Sequence, residues 1–141
     1  MKHNNLDRLL IVEDEPCIQR LYSALIHLHF PDIAIEVVCD GSSAVSTFEK
    51  THPGTILMDA SLPVLDGVTT CTQLQTLCRK LNWEVPSLII CSGTLCESDR
   101  LVVDAMRPTP AVLPKPVRND DLLVELTRAL RKPKMIKCLN P

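Results

Sequence analysis

Five polar side chains each lie at or just beyond the end of a short apolar run, and their types suit phosphoryl chemistry. They are Glu13, Asp14, Asp59, Ser92 and Lys115. Crowded carboxylates repel one another, and a hard cation such as Mg2+ relieves that repulsion by binding carboxylate oxygens. A hydroxyl can donate a hydrogen bond to a phosphoryl oxygen, and an ammonium group can neutralise one. A carboxylate between a cation and a lysine is suited to in-line phosphoryl transfer.

The apolar runs that precede these side chains are expected to be buried strands. They are short and continuous, which is typical of parallel strands covered on both faces; they lie at Leu9–Val12, Thr55–Met58, Leu88–Cys91 and Ala111–Leu113. A further strand is predicted at Ala34–Val38. Each of these strands should lead into a helix.

Segments with apolar residues at three- and four-residue steps predict the helices. They are expected after Pro16, after the turn Asp40–Ser43, after Asp66-Gly67, from about Glu97 to Met106, and from Asn119 to Arg131. Asp66-Gly67 is interpreted as turn chemistry without a catalytic role. The apolar face of the first helix is expected to consist of Ile18, Leu21, Tyr22, Leu25 and Leu28.

Strands that alternate with helices predict an α/β fold with one parallel sheet between two helical layers. Right-handed crossovers favour a flavodoxin-like (βα)5 three-layer sandwich with five strands in the order 2-1-3-4-5. Ligands bind at the carboxyl ends of the strands in such sheets, so all five polar side chains should meet at one edge. The predicted domain covers residues 1–132, and residues 133–141 are expected to form a short irregular tail.

Composition narrows the classes of function. With 15 basic and 17 acidic side chains, the formal net charge is -2, which argues against a direct, non-specific grip on nucleic acid. Apolar runs fall well short of the ~20 residues needed to cross a bilayer, and the first residues lack the pattern of a signal peptide. We therefore expect a cytoplasmic protein without membrane contact. Seven cysteines without a CxxC pair favour reduced thiols over disulfides or a zinc site.

From about Leu6 to Arg131 the chain resembles the receiver domain of response regulators in two-component, or phosphorelay, signalling. The resemblance rests on Glu13-Asp14 after Leu-Leu-Ile-Val, on Asp59 within Met-Asp-Ala-Ser-Leu-Pro-Val-Leu-Asp-Gly, on Ser92 after Leu-Ile-Ile-Cys, and on Lys115-Pro116. These motifs occur in the family's order, each at a predicted strand end.

The resemblance implies a role for each matched residue. Asp59 would accept a phosphoryl group from a phosphohistidine, and the resulting phosphoprotein would carry an aspartyl phosphate. Mg2+ would be held by Glu13, Asp14, Asp59 and the backbone carbonyl of Ser61. Ser92 would donate to the phosphoryl oxygen, Lys115 would pair with it, and Lys115-Pro116 is the candidate for a cis peptide.

The resemblance also implies the partners. The donor would be a sensor histidine kinase or a histidine phosphotransfer protein. An output protein would bind the face formed by helix 4, strand 5 and helix 5. The domain would be a signalling phosphoacceptor, catalysing only its own phosphotransfer and dephosphorylation.

Two features depart from the family pattern on that face. Val112 stands where receivers usually have an aromatic residue that changes rotamer on activation, and valine has one restricted torsion. Arg107-Pro108-Thr109-Pro110 replaces a glycine-containing loop, and its prolines remove two amide donors. These departures affect the output switch rather than the phosphorylation site.

Two other readings remain open from the sequence. A pseudo-receiver would bind a protein partner without being phosphorylated, and Val112 with the proline-rich loop favours it. A phosphohydrolase would also form an aspartyl phosphate, but such enzymes usually need a second acid two residues after the nucleophile, where this chain has Ser61.

Overall fold

A computed structural model describes the backbone of residues 1–139 and the side chains of residues 1–130. Over the described backbone the strands are β1 (Asn5–Val12), β2 (Ala34–Val38), β3 (Pro53–Asp59), β4 (Ser87–Ser92) and β5 (Ala111–Pro114). The helices are α1 (Pro16–His29), α2 (Gly41–Thr51), α3 (Gly67–Leu81), α4 (Glu97–Ala105) and α5 (Asn119–Leu139).

The strands pair in parallel in the order β2-β1-β3-β4-β5, which confirms the predicted topology. Val12 pairs with Met58, Asp59 with Cys91, and Ser92 with Pro114. This register brings the last residues of β1, β3, β4 and β5 side by side. The residues that follow each strand therefore share one edge of the sheet.

Two apolar layers hold the helices against the sheet. One face packs Leu10, Ile56 and Ile90 against residues of α2, α3 and α4, including Phe48 and Leu74. The opposite face packs strand residues against α1 and α5, through Tyr22, Ile26, Leu122 and Leu126. Burial on both faces explains why the strands have nearly continuous apolar sequences.

The buried stripe of α1 differs from the predicted one. Tyr22 and Ile26 are buried, whereas Leu21 and Leu28 are 51% and 74% exposed. Each residue advances a helix by about 100°, so Ile26 lies about 40° from Tyr22 while Leu21 and Leu28 lie about 100° or more away. The apolar stripe is wider than the surface of the sheet available to cover it.

Helix α5 also differs from its predicted extent, because it continues to Leu139 instead of ending near Arg131. Residues 133–139 are therefore helical rather than irregular. This segment has no glycine to stop a helix, and lysine, methionine and leucine are good helix formers. The division of the chain at residue 132 stays a prediction, and residues 140–141 lie outside the described residues.

The cysteines whose side chains the structure describes are all free. Cys71, Cys78 and Cys91 are buried, and burial raises the pKa of the Cys71 thiol to about 12. Such thiols act as small apolar side chains. The side chain of Cys138 lies outside the described residues.

Within the described part of the chain, no helix has both the length and the apolar character required to span a bilayer.

Candidate functional site

The three predicted metal ligands come together at the carboxyl edge of the sheet. Oxygen atoms of Glu13, Asp14 and Asp59 all lie within 4.8 Å of one another. Glu13 and Asp59 are buried, with 2% and 5% exposure, while Asp14 is exposed. Carboxylate oxygens are the ligands that Mg2+ prefers, and the open side at Asp14 leaves room for retained waters. The donor set fits a divalent cation.

Lys115 forms an ion pair with the carboxylate at the centre of this cluster. Its Nζ donates to Asp59 Oδ1 at 2.6 Å, and the side chain of Lys115 is 34% exposed. Partial burial alone would lower the pKa of the Lys115 ammonium, but the hydrogen bond and charge of Asp59 raise that pKa above its usual value. Lys115 is therefore held as a cation next to the predicted nucleophile.

The loop after β3 fixes the same carboxylate from the other side. The backbone N–H of Ser61 donates to Asp59 Oδ1 at 3.0 Å. Oδ1 is thus bonded to both an amide and an ammonium group. The assignment of the Ser61 carbonyl as a metal ligand stays a prediction.

Glu13 is buried at the edge of the sheet, and both its backbone and its side chain form hydrogen bonds. Its N–H donates to the carbonyl of Val38 at 3.0 Å, and its Oε2 accepts from the N–H of Glu15 at 3.1 Å. Burial raises the pKa of the Glu13 carboxyl to about 7; the Glu15 amide opposes this rise and the charge of Asp59 adds to it. A bound cation would favour the ionised form and remove this conflict.

Gln19 supports Glu13 and was not predicted from the sequence. Its Nε2 donates to the Glu13 carbonyl at 2.5 Å, from the first turns of α1. A polar residue among the apolar positions of that helix was the available signal. Gln19 holds the β1–α1 connection rather than touching the carboxylate cluster.

Ser92 ends β4 next to the lysine. It is 6% exposed, and its carbonyl accepts from the N–H of Lys115 at 2.8 Å. The Lys115–Pro116 peptide bond is cis, as predicted, and Arg107–Pro108 is a second cis bond. The structure therefore places Ser92 and Lys115 at adjacent strand ends.

Gly67 has a role in the site beyond the turn chemistry that the sequence indicated. Asp66 caps α3 by accepting from the N–H of Thr69 at 2.8 Å, while Gly67 lies against the end of β3. A Cβ at position 67 would overlap the Asp59 carbonyl oxygen. The loop therefore needs glycine at this position to close over Asp59.

Two cavities open beside the site. One of about 220 Å³ has Glu13, Ile18, Tyr22 and Lys115 in its wall. Burial raises the pKa of the Tyr22 phenol, and the neighbouring Cys91 raises it further. Tyr22 therefore lines this cavity as a neutral hydrogen-bond donor. Sequence reasoning assigned Tyr22 only to the apolar face of α1, and its position beside the site was missed.

The second cavity, of about 270 Å³, lies between the β4–α4 loop and β5. Its wall includes Ser92, Thr94, Arg100 and Val112, and Val112 is 37% exposed. The residue that replaces the expected aromatic thus lines an open space that reaches Ser92. The proline-rich loop before β5 is held by Gln75, whose Nε2 donates to the Pro108 carbonyl at 3.0 Å.

Comparison with known proteins gives the family of this chain. A family profile described as "Response regulator receiver domain" matches residues 9–127. The chain belongs to that family. Its fold is that of a receiver domain from a two-component system.

The curated relatives include a transcription factor and a response regulator. The chain is 32% identical over 126 residues to transcription factor SKN7 of Candida albicans, covering 89% of this chain and 21% of that protein. It is 27% identical over 128 residues to the response regulator MprA of Mycobacterium ulcerans, covering 91% of this chain and 52% of MprA. The chain thus spans about a fifth of SKN7 and half of MprA.

Solved receiver domains share its fold. The receiver domain of sensor histidine kinase PA1611 from Pseudomonas aeruginosa, described with a magnesium ion coordinated in the active-site cleft, has a TM-score of 0.70 at 27% identity, covering 87% of this chain and 96% of that one. The receiver domain of Ssk1 was crystallised with the Saccharomyces cerevisiae histidine phosphotransfer protein Ypd1. It has a TM-score of 0.75 at 21% identity, covering 86% of this chain and 87% of that one.

Proposed function

We propose that this receiver domain takes a phosphoryl group from a phosphohistidine partner onto Asp59 and thereby changes a protein-binding surface. One observation supports this most directly: Asp59 Oδ1 lies 2.6 Å from Lys115 Nζ, inside a cluster with Glu13 and Asp14. A buried carboxylate flanked by an ammonium group and by further acids is placed to form an acyl phosphate.

Glu13, Asp14 and Asp59, with the backbone carbonyl of Ser61, would hold Mg2+. Bound there, the cation would neutralise phosphoryl oxygens during transfer. The pKa of Glu13, raised to about 7 by burial and further by the charge of Asp59, supports a site in which a bound cation would favour the ionised carboxylates. The magnesium in the PA1611 receiver domain supports the choice of metal.

The chemical step makes one bond and breaks one. An Asp59 carboxylate oxygen attacks phosphorus, the phosphorus–nitrogen bond to the donor's imidazole breaks, and the nitrogen keeps the electron pair and then takes a proton. Lys115 neutralises a phosphoryl oxygen, for which its partial exposure leaves enough freedom. Ser92, buried next to it, donates to another. Hydrolysis of the acyl phosphate returns the carboxylate, so the domain acts on itself and is not an enzyme with a separate substrate.

The donor would be a sensor histidine kinase or a histidine phosphotransfer protein, as the Ypd1 complex of the Ssk1 receiver suggests. The output protein would bind the face of α4, β5 and α5. This face exposes apolar side chains in the unbound protein, at Leu101, Val102, Val112 and Val124. The free, buried thiols of the protein core suit a reducing compartment, and we place the protein in the cytoplasm. We propose no direct contact with nucleic acid or membrane.

Intact mass after incubation with acetyl phosphate tests the proposal. We expect one added phosphate on the wild-type protein, dependent on Mg2+ and absent from Asp59→Asn. The exposed variant Asp66→Asn is the matched control, because Asp66 bonds the Thr69 amide and not the cluster; it should label like the wild type.

The opposite result has a defined meaning. A folded wild-type protein that takes no phosphate from acetyl phosphate or from a more reactive phosphoramidate would contradict the proposal. It would favour a pseudo-receiver that binds its partner constitutively.

A further inference from the structure

The turn that separates the phosphorylation site from α3 has an unusual residue at its tip. Val64 adopts φ 67°, in the left-handed region, and the N–H of Leu65 donates to the Pro63 carbonyl at 2.7 Å. That bond closes a three-residue γ-turn with a positive φ at its centre, a rare and strained form. A β-branched residue in this conformation is an outlier, whereas glycine or asparagine adopts it more readily.

The free protein gains no packing from this valine. Val64 is 95% exposed, more than the other large apolar side chains that the structure describes as exposed. Backbone strain that is not repaid by burial is typical of residues that act in binding or switching. The side chain should therefore be buried in a complex.

Both sides of the turn are anchored, so its tip has a fixed position. Before it, Leu62 is 9% exposed and belongs to the apolar core, and the Ser61 amide bonds Asp59. After it, the N–H of Gly67 donates to the Ala60 carbonyl at 2.9 Å. Val64 thus forms a fixed apolar knob at the edge of the sheet where Asp59 lies.

We propose that Val64 is an anchor for the protein that donates the phosphoryl group, a histidine phosphotransfer protein of the Ypd1 kind. This inference rests on the proposed function. A donor histidine can reach Asp59 only if its protein covers this edge of the sheet, and that covering surface would bury Val64. A small donor such as acetyl phosphate covers no such area and would not contact the knob.

Two donors separate contact at Val64 from the chemistry at Asp59. We would measure labelling of Val64→Asn by phosphorylated Ypd1 and, in parallel, by acetyl phosphate with Mg2+. Burial of one valine side chain corresponds to roughly a tenfold change in affinity. We therefore expect kcat/KM with phospho-Ypd1 to fall about tenfold, mainly through KM, while labelling by acetyl phosphate stays within about twofold.

Two further variants complete the test: the first distinguishes an apolar contact from backbone strain, and the second is a control at a distant exposed position. Val64→Leu keeps an apolar knob without the branch at Cβ, so transfer from phospho-Ypd1 should be retained. Leu28→Asn removes a residue that is 74% exposed at the far end of α1, and transfer should be unchanged.

Each remaining outcome counts against a stated claim. Equal transfer from phospho-Ypd1 to wild type and Val64→Asn would overturn the anchor. A wild-type chain that labels with acetyl phosphate but takes nothing from phospho-Ypd1 would overturn the partner class. A wild-type chain that acetyl phosphate does not label would instead contradict the proposed function.

Discussion

The two ends of the sheet both bury polar side chains, but they satisfy them in different ways. At the carboxyl end, Glu13 and Asp59 are buried with bonded oxygens, and Lys115 supplies a compensating charge. At the amino end, His52 is 3% exposed, and neither ring nitrogen has a hydrogen-bond partner among the described residues. One end pairs the charge of Asp59 with that of Lys115, while the other keeps its polar group neutral.

His52 is held at the amino end by shape and by its backbone. It follows α2 with φ 46°, and its carbonyl accepts from the N–H of Asn5 at 2.6 Å. Its ring lies 4.9 Å from that of Phe48 and 4.7 Å from that of Trp83. Burial lowers the pKa of the His52 imidazole, and the charge of Lys2 lowers it further. Packing therefore replaces hydrogen bonding at this end.

The two arrangements cost the fold stability under different conditions. A carboxylate cluster with no cation bound destabilises the protein at neutral pH, since burial and repulsion oppose ionisation. A buried neutral histidine destabilises it only in acid. The two ends should therefore respond to pH in opposite directions.

The largest effect is expected where the carboxyl end is most tightly packed. Gly67→Ala should destabilise the protein by about 3 kcal/mol, because a Cβ at this position would overlap the Asp59 carbonyl oxygen. Gly93→Ala is the matched control: a Cβ there meets nothing within 4 Å, so the change should stay within about 0.5 kcal/mol. Urea unfolding gives both values, and equal effects would show that the turn at Gly67 can relax.

The next effect tests the charge at the carboxyl end. The pKa of Glu13 is raised from 4.5 to about 7, so between these values the unfolded chain has lost a proton that the folded protein keeps, and stability falls as pH rises. Glu13→Gln should therefore be more stable than wild type by on the order of 2 kcal/mol at pH 8 in EDTA. The difference should shrink towards pH 4.5, as measured by urea unfolding across the pH range.

Mg2+ gives the complementary measurement. It should stabilise the wild-type protein and have much less effect on Glu13→Gln, because a ligand that binds only the folded state raises stability. The exposed Glu15→Gln is the control and should behave like wild type. Equal stabilisation of all three proteins by Mg2+ would contradict the proposal that Glu13 is a metal ligand.

A smaller effect of opposite sign is expected at the amino end. The folded pKa of His52 is lowered, so below the unfolded value of 6.5 the unfolded chain binds a proton that the folded protein excludes, and stability falls as pH falls. The loss should stay below about 1.4 kcal/mol per pH unit, the limit for a single proton. In His52→Asn this acid-dependent loss should shrink, because asparagine does not titrate. Asparagine is the chosen replacement because it tolerates the positive φ at this position. The exposed His29→Asn should keep the wild-type slope, and an unchanged slope in His52→Asn would assign the acid loss elsewhere.

The smallest effect contrasts an exposed ion pair with the buried one. Arg128 Nη1 lies 3.1 Å from Glu125 Oε1 on α5, with the arginine side chain 73% exposed. Arg128→Ala should change stability by less than about 0.5 kcal/mol, because solvent and salt screen such pairs. A larger loss in thermal or urea unfolding would point to packing by the arginine stem in the cavity beside Pro108, which it helps to line.

Much of the site could be predicted because its positions depend on strand ends. The apolar runs before Glu13, Asp59 and Ser92 mark the strands, and the parallel topology places their carboxyl ends together. The cis bond at Lys115–Pro116 followed from the matched motif and is confirmed. The extent of α5 was not predicted: residues 133–141 were expected to form an irregular tail, whereas the helix continues to Leu139.

Local sequence therefore determined the alternation of elements, the order of strands and the set of residues at the functional edge. Only the tertiary structure decided which side chains neighbouring elements cover. It buried Glu13 and left Asp14 exposed, and it enclosed His52 between aromatic rings. It also set Val64 at the tip of a strained turn. Periodicity gives the direction of a side chain relative to its own helix or strand, but burial and electrostatics depend on what packs against it from elsewhere in the chain.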